Sequence, residues 1–160
     1  MSAKAAPGWG STHLAAIGPE AVTLTAEEQL AVQRVLVRYA FALDQQDLTE
    51  LESVLTEDAT WTFRIADQSD SGPVTGRAAI LELVRKAIDA ETDQRRHNLV
   101  NVVLRGADAG TAHAHAYLML TSNADGGSGV IATGFYTFRL ERSGGDWRIA
   151  ELFLGTDNAW

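Results

Sequence analysis

Residues Arg38 to Asp47 read R-Y-A-F-A-L-D-Q-Q-D and close the first long apolar stretch of the chain. Upstream of Asp44 the residues Leu30, Val32, Val35, Leu36, Val37, Tyr39, Ala40, Phe41, Ala42 and Leu43 are apolar or aromatic. That density predicts a helix buried on most sides. Asp44 falls at its end, where a carboxylate faces the negative pole of the helix dipole. Val37, Ala40 and Phe41 share its face at helical spacing. Two readings follow. Asp44 is either a half-exposed residue that ends the helix, or an acid or base in a pocket, hard to ionise unless a cation or hydrogen-bond donor meets it.

Working outward, Thr25-Ala26-Glu27-Glu28 fits a capping box, so the first helix runs from about Ala26 to about Gln46. Asp47-Leu48-Thr49-Glu50 repeats that cap logic and predicts a short second helix to about Leu55. Ala59 to Ile65 alternates, which predicts a strand burying Ala59, Trp61, Phe63 and Ile65. Ala66 to Thr75 reads as a loop, with a short strand at Val74, and Gly76 leads a third helix over about Arg77 to Ala90. From His97 the pattern becomes a meander: His97–Arg105, Thr111–Ser122, Val130–Arg142 and Asp146–Leu154, joined by glycine-bearing turns. Several of these strands are apolar on both faces, as Leu99 and Val103 are against Val100, Val102 and Leu104. A sheet of that kind needs a cover on each side, helices on one and a second subunit on the other. Residues 1–24 show no sustained period and read as an irregular N-terminal arm, leaving 25–160 as one domain of α+β class.

Composition narrows the function. The chain has 160 residues, 46% hydrophobic and 21% charged, as expected of one soluble domain with a real core. Its formal net charge of −8 argues against nucleic-acid and anionic-membrane partners. The absence of cysteine excludes disulfides, thiolate nucleophiles and thiolate-ligated metals, and makes the cytoplasm the default location. No apolar run approaches the roughly 18–20 residues of a membrane span, and the N-terminus lacks the layout of a signal peptide.

Among side chains suited to chemistry, His97 opens the first meander strand after Arg95-Arg96, with Asn98 next and Asn101, two positions beyond Leu99, on its face of the strand. A histidine there is either a satisfied structural residue or a proton-transfer group. His113 and His115 alternate with Ala112, Ala114 and Ala116, which lead to Leu118 and Leu120. Register follows the apolar set, so the two histidines should face outward or toward a partner. Their spacing could share a metal, but nothing nearby supplies further ligands, and no metal is expected. Glu151 interrupts an apolar strand as an edge or interface charge or as a second pocket acid. No phosphate loop, nucleophile elbow or dinucleotide fingerprint is present.

The order helix, short helix, strand, helix, meander, with Asp44 and His97 at these places, resembles the SnoaL-like branch of the NTF2-like superfamily. Four stretches carry the likeness: R-Y-A-F-A-L-D-Q-Q-D-L-T-E-L-E-S-V-L-T-E-D-A-T-W, G-R-A-A-I-L-E-L-V, R-R-H-N-L-V-N-V and G-D-W-R-I-A-E-L. The resemblance spans about Glu27 to Leu154. It implies a cone-shaped barrel, a curved antiparallel sheet around an apolar pocket closed by three helices, and a homodimer packed through the sheet. It also implies cofactor-free acid–base catalysis on a small hydrophobic ring-bearing metabolite such as a polyketide, steroid or terpenoid. His97 would move the proton and Asp44 would orient it. Tyr39 or Asn101 would hold the substrate oxygen, and Tyr39, Phe41, Trp61, Phe63, Tyr136 and Phe138 are candidate pocket walls or plain core. Leu43 stands where dehydratase-like members carry a tyrosine before the Asp. A non-catalytic ligand-binding or assembly module of the same fold is the alternative.

Overall fold

The computed structural model describes residues 20–66 and 68–158. Most of the arm, including Trp9, His13, Leu14 and Ile17, therefore lies outside the described residues. Its last part does pack: Val22 bridges Gly106, and Leu24 is buried in the core.

Helix α1 spans Ala26–Asp44 and opens on the expected capping box, in which Thr25 and Glu28 satisfy each other's backbone N–H groups. It ends two residues earlier than the apolar pattern suggests. Gln46 adopts a φ of 57°, its N–H bonds the Leu43 carbonyl at 3.1 Å, and the Asp47 N–H bonds the Ala42 carbonyl at 2.8 Å. That pair of bonds is a Schellman stop, here with a glutamine in the left-handed position. Asp47 then accepts a bond from the Glu50 N–H and starts α2, Leu48–Ser53. One turn thus ends one helix and caps the next.

The expectation that α1 is buried on most sides is overturned. It buries Val32, Val35, Leu36, Tyr39, Ala40 and Ala42, while Leu30, Val37 and Phe41 are exposed. A helix laid on a sheet buries only the face that touches it, and these three residues share the opposite stripe.

Six strands follow: β1 Leu55–Ile65, β2 Ser71–Thr75, then, after α3 (Arg77–Ala90), β3 Gln94–Asp108, β4 Thr111–Ala124, β5 Gly127–Ser143 and β6 Asp146–Thr156. They form one sheet in the order β2-β1-β6-β5-β4-β3. All pairs are antiparallel except β1 with β6. The sheet is therefore mixed: the chain crosses from β1 through α3 and the meander before β6 returns beside β1. Pro73, which cannot donate to a ladder, sits in the edge strand β2.

Strand β4 alternates as read, with Ala112, Ala114, Ala116, Leu118 and Leu120 all buried. His113 and His115 lie on the other face, where the His115 Nδ1 is 2.8 Å from the Thr137 hydroxyl. Strand β3 does not hold one alternation. Its register with β4 shifts between Val100 and Val103, and Asn101 takes a φ of 52°. This bulge turns the strand's phase over, so Leu99, Val102 and Leu104 all pack on the core while Val100 and Val103 are exposed. The two-faced apolar pattern of β3 thus comes from one inserted residue.

Candidate active site

The Schellman turn fixes the direction in which α1 presents its last residue. Asp44 reaches β3, 53 residues away in the chain. Its Oδ1 lies 2.7 Å from the His97 Nδ1 and accepts the His97 backbone N–H at 2.9 Å, while Oδ2 lies 3.2 Å from that same N–H. The side chains of His97 and Asp44 are 15% and 10% exposed. The Gln94 side-chain amide donates to the Asp44 carbonyl at 3.0 Å and so meets a helix-terminal acceptor. The carboxylate stands at the wrong end of its helix for the dipole, yet donors from another strand meet it. Because a carboxylate accepts, the neutral imidazole carries its proton on Nδ1 and leaves the Nε2 lone pair free.

His97 lines a cavity of about 240 Å³. Trp61, Phe63 and Ile65 from β1 form one wall, and Leu83, Val84, Ala87 and Ile88 from α3 form another. Leu118, Leu120, Tyr136 and Leu154 close the sheet side, with Leu43 beside them. Glu91 and Arg95 complete the lining. Sequence reasoning misses the α3 wall, although its apolar stripe carries the signal, as do the inward leucines of β4. Nothing in the sequence marks Glu91 and Arg95.

Of the expected pocket residues, Trp61, Phe63 and Tyr136 line this cavity. Four others do not. Phe41 is 61% exposed on the outer stripe of α1, because the inward face of that helix is taken by Tyr39, Ala40 and Ala42. Asn101 is exposed, because the bulge it occupies turns it off the face of His97. Tyr39 is fully buried one layer behind the cavity, edge-on to Tyr136 and to Phe138, each at 5.8 Å between ring centroids. Phe138 is core, stacked on Tyr136 at 5.3 Å. Glu151 is exposed on β6, between β1 and β5, and pairs with Arg139 at 2.7 Å; it is neither at a sheet edge nor a second pocket acid.

Burial pushes the Tyr136 phenol well above its ordinary range. The neighbouring Tyr39 hydroxyl opposes that shift, and the charge of Asp44 adds to it. Tyr39 is raised as well, by burial first and then by Tyr136. Both stay neutral phenols and hence hydrogen-bond donors. The Tyr39 hydroxyl is nevertheless buried without a hydrogen bond of good geometry. Among the described residues, no group of three or more His, Asp and Glu side chains is placed to hold a metal. None of the described helices is long and apolar enough to cross a membrane.

Comparisons with known proteins agree on the fold. The model of the SnoaL-like domain family matches residues 24–152. A search of the curated proteins returned no match. Among solved structures, Aln2 from a Streptomyces species superposes with a TM-score of 0.72 at 24% identity, covering 85% of this chain and 95% of that one. A Catenulispora acidiphila protein in complex with S-DNPA gives a TM-score of 0.71 at 21% identity, covering 83% and 96%. An NTF2-like protein with a cystatin-like fold from Novosphingobium aromaticivorans gives 0.64 at 20% identity, covering 80% of each chain. A helix end that delivers a carboxylate to the first residues of a long strand, over a cavity walled by a curved sheet, is thus set in a recurrent frame: the chain belongs to the SnoaL-like domain family and has the NTF2-like fold.

Proposed function

We propose that the protein is an acid–base catalyst that moves a proton on a small, hydrophobic, ring-bearing molecule without a cofactor. One observation carries this reading: the Asp44 carboxylate lies 2.7 Å from the His97 Nδ1, and the same imidazole lines an apolar cavity. In the chemistry this supports, Nε2 takes a proton from carbon beside a carbonyl. The imidazolium that forms is stabilised by Asp44, and the neutral Tyr136 phenol donates to the developing oxyanion. Return of that proton to another atom gives isomerisation. Its delivery to a departing hydroxyl gives dehydration, and attack of the enolate carbon on a second carbonyl, whose oxygen then takes the proton from the imidazolium, gives cyclisation. The cavity of about 240 Å³ is small beside the ~300–1,000 Å³ of drug-sized sites, which favours one or two rings over four. A second copy is the partner we assign to the outer sheet face, where Val100, Val103, Tyr117 and Met119 are exposed together on β3 and β4; light scattering that finds only monomer would remove it.

Proton exchange tests the catalytic reading without knowledge of the natural substrate. In D2O, α-proton exchange of small bicyclic ketones such as 1-indanone is followed by proton NMR. The protein should accelerate it, and His97→Gln and Asp44→Asn should each lose roughly 10²–10⁴-fold of that acceleration. If the wild-type protein binds these ketones but exchanges no faster than His97→Gln, the ligand-binding module is the better account.

A further inference from the structure

The rim of the cavity holds a charge arrangement that the proton-transfer pair does not use. Arg95 lines the cavity next to His97, yet its guanidinium is already engaged. Its Nη1 lies 3.1 Å from Glu91 and its Nε 3.2 Å from Asp93. The three side chains are 26%, 14% and 13% exposed. Ser122 and then Arg95 hold the Asp93 carboxyl below its usual range against the effect of burial, so it stays ionised. Glu91 itself faces the cavity. Among the described residues lining the cavity, Arg95 is the single arginine or lysine, and two carboxylates meet it before any ligand does. Glu91, Asp93, Arg95 and the Asp44 behind His97 together carry three negative charges and one positive. The net charge of −8 on the whole chain acts in the same direction.

We propose that this Glu91–Arg95–Asp93 group makes the cavity selective for uncharged ring systems and rejects the same skeletons bearing a carboxylate. The inference rests on the proton-transfer reading of the cavity and narrows its substrate class to neutral ketones, esters, lactones or alcohols. An entering carboxylate loses its water among leucine, phenylalanine and tryptophan side chains and finds no free cation in return. An arginine at a cavity wall would ordinarily suggest anion recognition. Here two of its nitrogens already face acids that are fixed to the protein, so an anion drawn to its remaining donors would sit beside two carboxylates.

The test uses a matched pair of probes, 2-acetylnaphthalene and 2-naphthoate, which differ chiefly in charge. Calorimetric titration of the wild-type protein at neutral pH should find the ketone bound at least about thirty-fold more tightly. Glu91→Gln keeps the Asp93–Arg95 pair and removes one repelling charge. It should shift the ratio of naphthoate to ketone affinity by about ten-fold toward naphthoate. Raising sodium chloride from low to half-molar concentration should narrow the wild-type discrimination several-fold, which decides the matter without a variant. If naphthoate binds as tightly as the ketone, this inference falls while the cavity reading stands. A preference unmoved by both Glu91→Gln and salt would assign the discrimination to the apolar walls and overturn the role given to the acids. If neither probe binds, the cavity takes no ring of this size, and both readings fail together.

Discussion

Strands β3 and β4 lie side by side and are similarly rich in apolar residues, yet they are not equally readable. Strand β4 keeps one alternation, with its alanines and leucines inward and His113, His115 and Tyr117 outward. Strand β3 starts in step with it and then slips at Asn101, so that Leu99 and Val102, three positions apart, share the inner face. Alternation predicts orientation only as far as the next bulge, and a bulge is announced by backbone conformation rather than by hydrophobicity. The difference also separates function from support. His97 precedes the slip and meets Asp44, whereas the histidines of β4 point away from the cavity.

The largest expected effect uses that contrast directly. His97→Gln should remove roughly 10²–10⁴-fold of the ketone exchange activity. His113→Gln and His115→Gln should leave it within about two-fold, since general acid–base action requires reach to the substrate. Loss of exchange in His115→Gln with the fold intact would mean that β4 presents its other face to the cavity, and the comparison would break. The second effect is on stability. Leu118→Ala on the inner face of β4 should cost about 2–3 kcal/mol in denaturant unfolding, because it removes buried apolar surface and enlarges the cavity that Leu118 lines. Val103→Ala on the outer face of β3 should cost less than about 1 kcal/mol, because the side chain is already exposed. Equal costs would refute the phase change at the bulge. A Val103→Ala cost that grows with protein concentration would place a second copy on that face.

Much of the architecture is legible because the punctuation is explicit. The capping box at Thr25, the acidic cap at Asp47, the glycine before α3 and the glycine-bearing turns each name an element boundary by a local mechanism. The contact between Asp44 and His97 is legible only through the order of elements and the family likeness, since no local rule links residues 53 apart. The errors have two causes. Aromaticity alone makes pocket walls of both Phe41 and Tyr39, but side-chain type does not say which stripe of a helix meets the sheet. That is decided by how α1 lies across β3 and β6. Counting in twos places Asn101 on the face of His97, a rule that its own left-handed backbone cancels. The Glu91–Arg95–Asp93 group is invisible for another reason: three charges on a loop and a strand start look like a solvated surface until the cavity is seen behind them.

The inner face of β5, one strand beyond β4, gives a third effect. Tyr136 pairs across from Ala116, and Tyr39 packs against it. Both phenols are raised by burial. A phenol whose folded-state pKa is raised stays protonated in the folded protein while the unfolded chain ionises near pH 10. The unfolded state then binds fewer protons, so stability falls as pH rises past that point, by up to about 1.4 kcal/mol per pH unit for each phenol. Below pH 9 this contribution is constant. Urea unfolding midpoints between pH 8 and 11 should therefore be flat and then fall, and Tyr136→Phe should reduce the slope. An unchanged slope in Tyr136→Phe would show that its hydroxyl is hydrated in the folded state.

The smallest expected effect falls on the bulge itself. Asn101 holds a φ of 52°, a region that asparagine and glycine tolerate and β-branched residues resist. Its side chain is exposed, so a substitution there changes little packing. Asn101→Gly should change stability by only a few tenths of a kcal/mol, because relief at the positive φ offsets the greater freedom of glycine in the unfolded chain. Asn101→Val should cost about 1–2 kcal/mol, although valine is the better strand former elsewhere on β3. The inverted ranking is the point of the measurement. In a regular strand valine would stabilise an exposed position and glycine would weaken it. Glycine outranking valine at residue 101 alone, with the ordinary order at Val103, would locate the phase change of β3 at a single residue. The ordinary order at both sites would mean that β3 runs without a break, and Val102 would then have to leave the core.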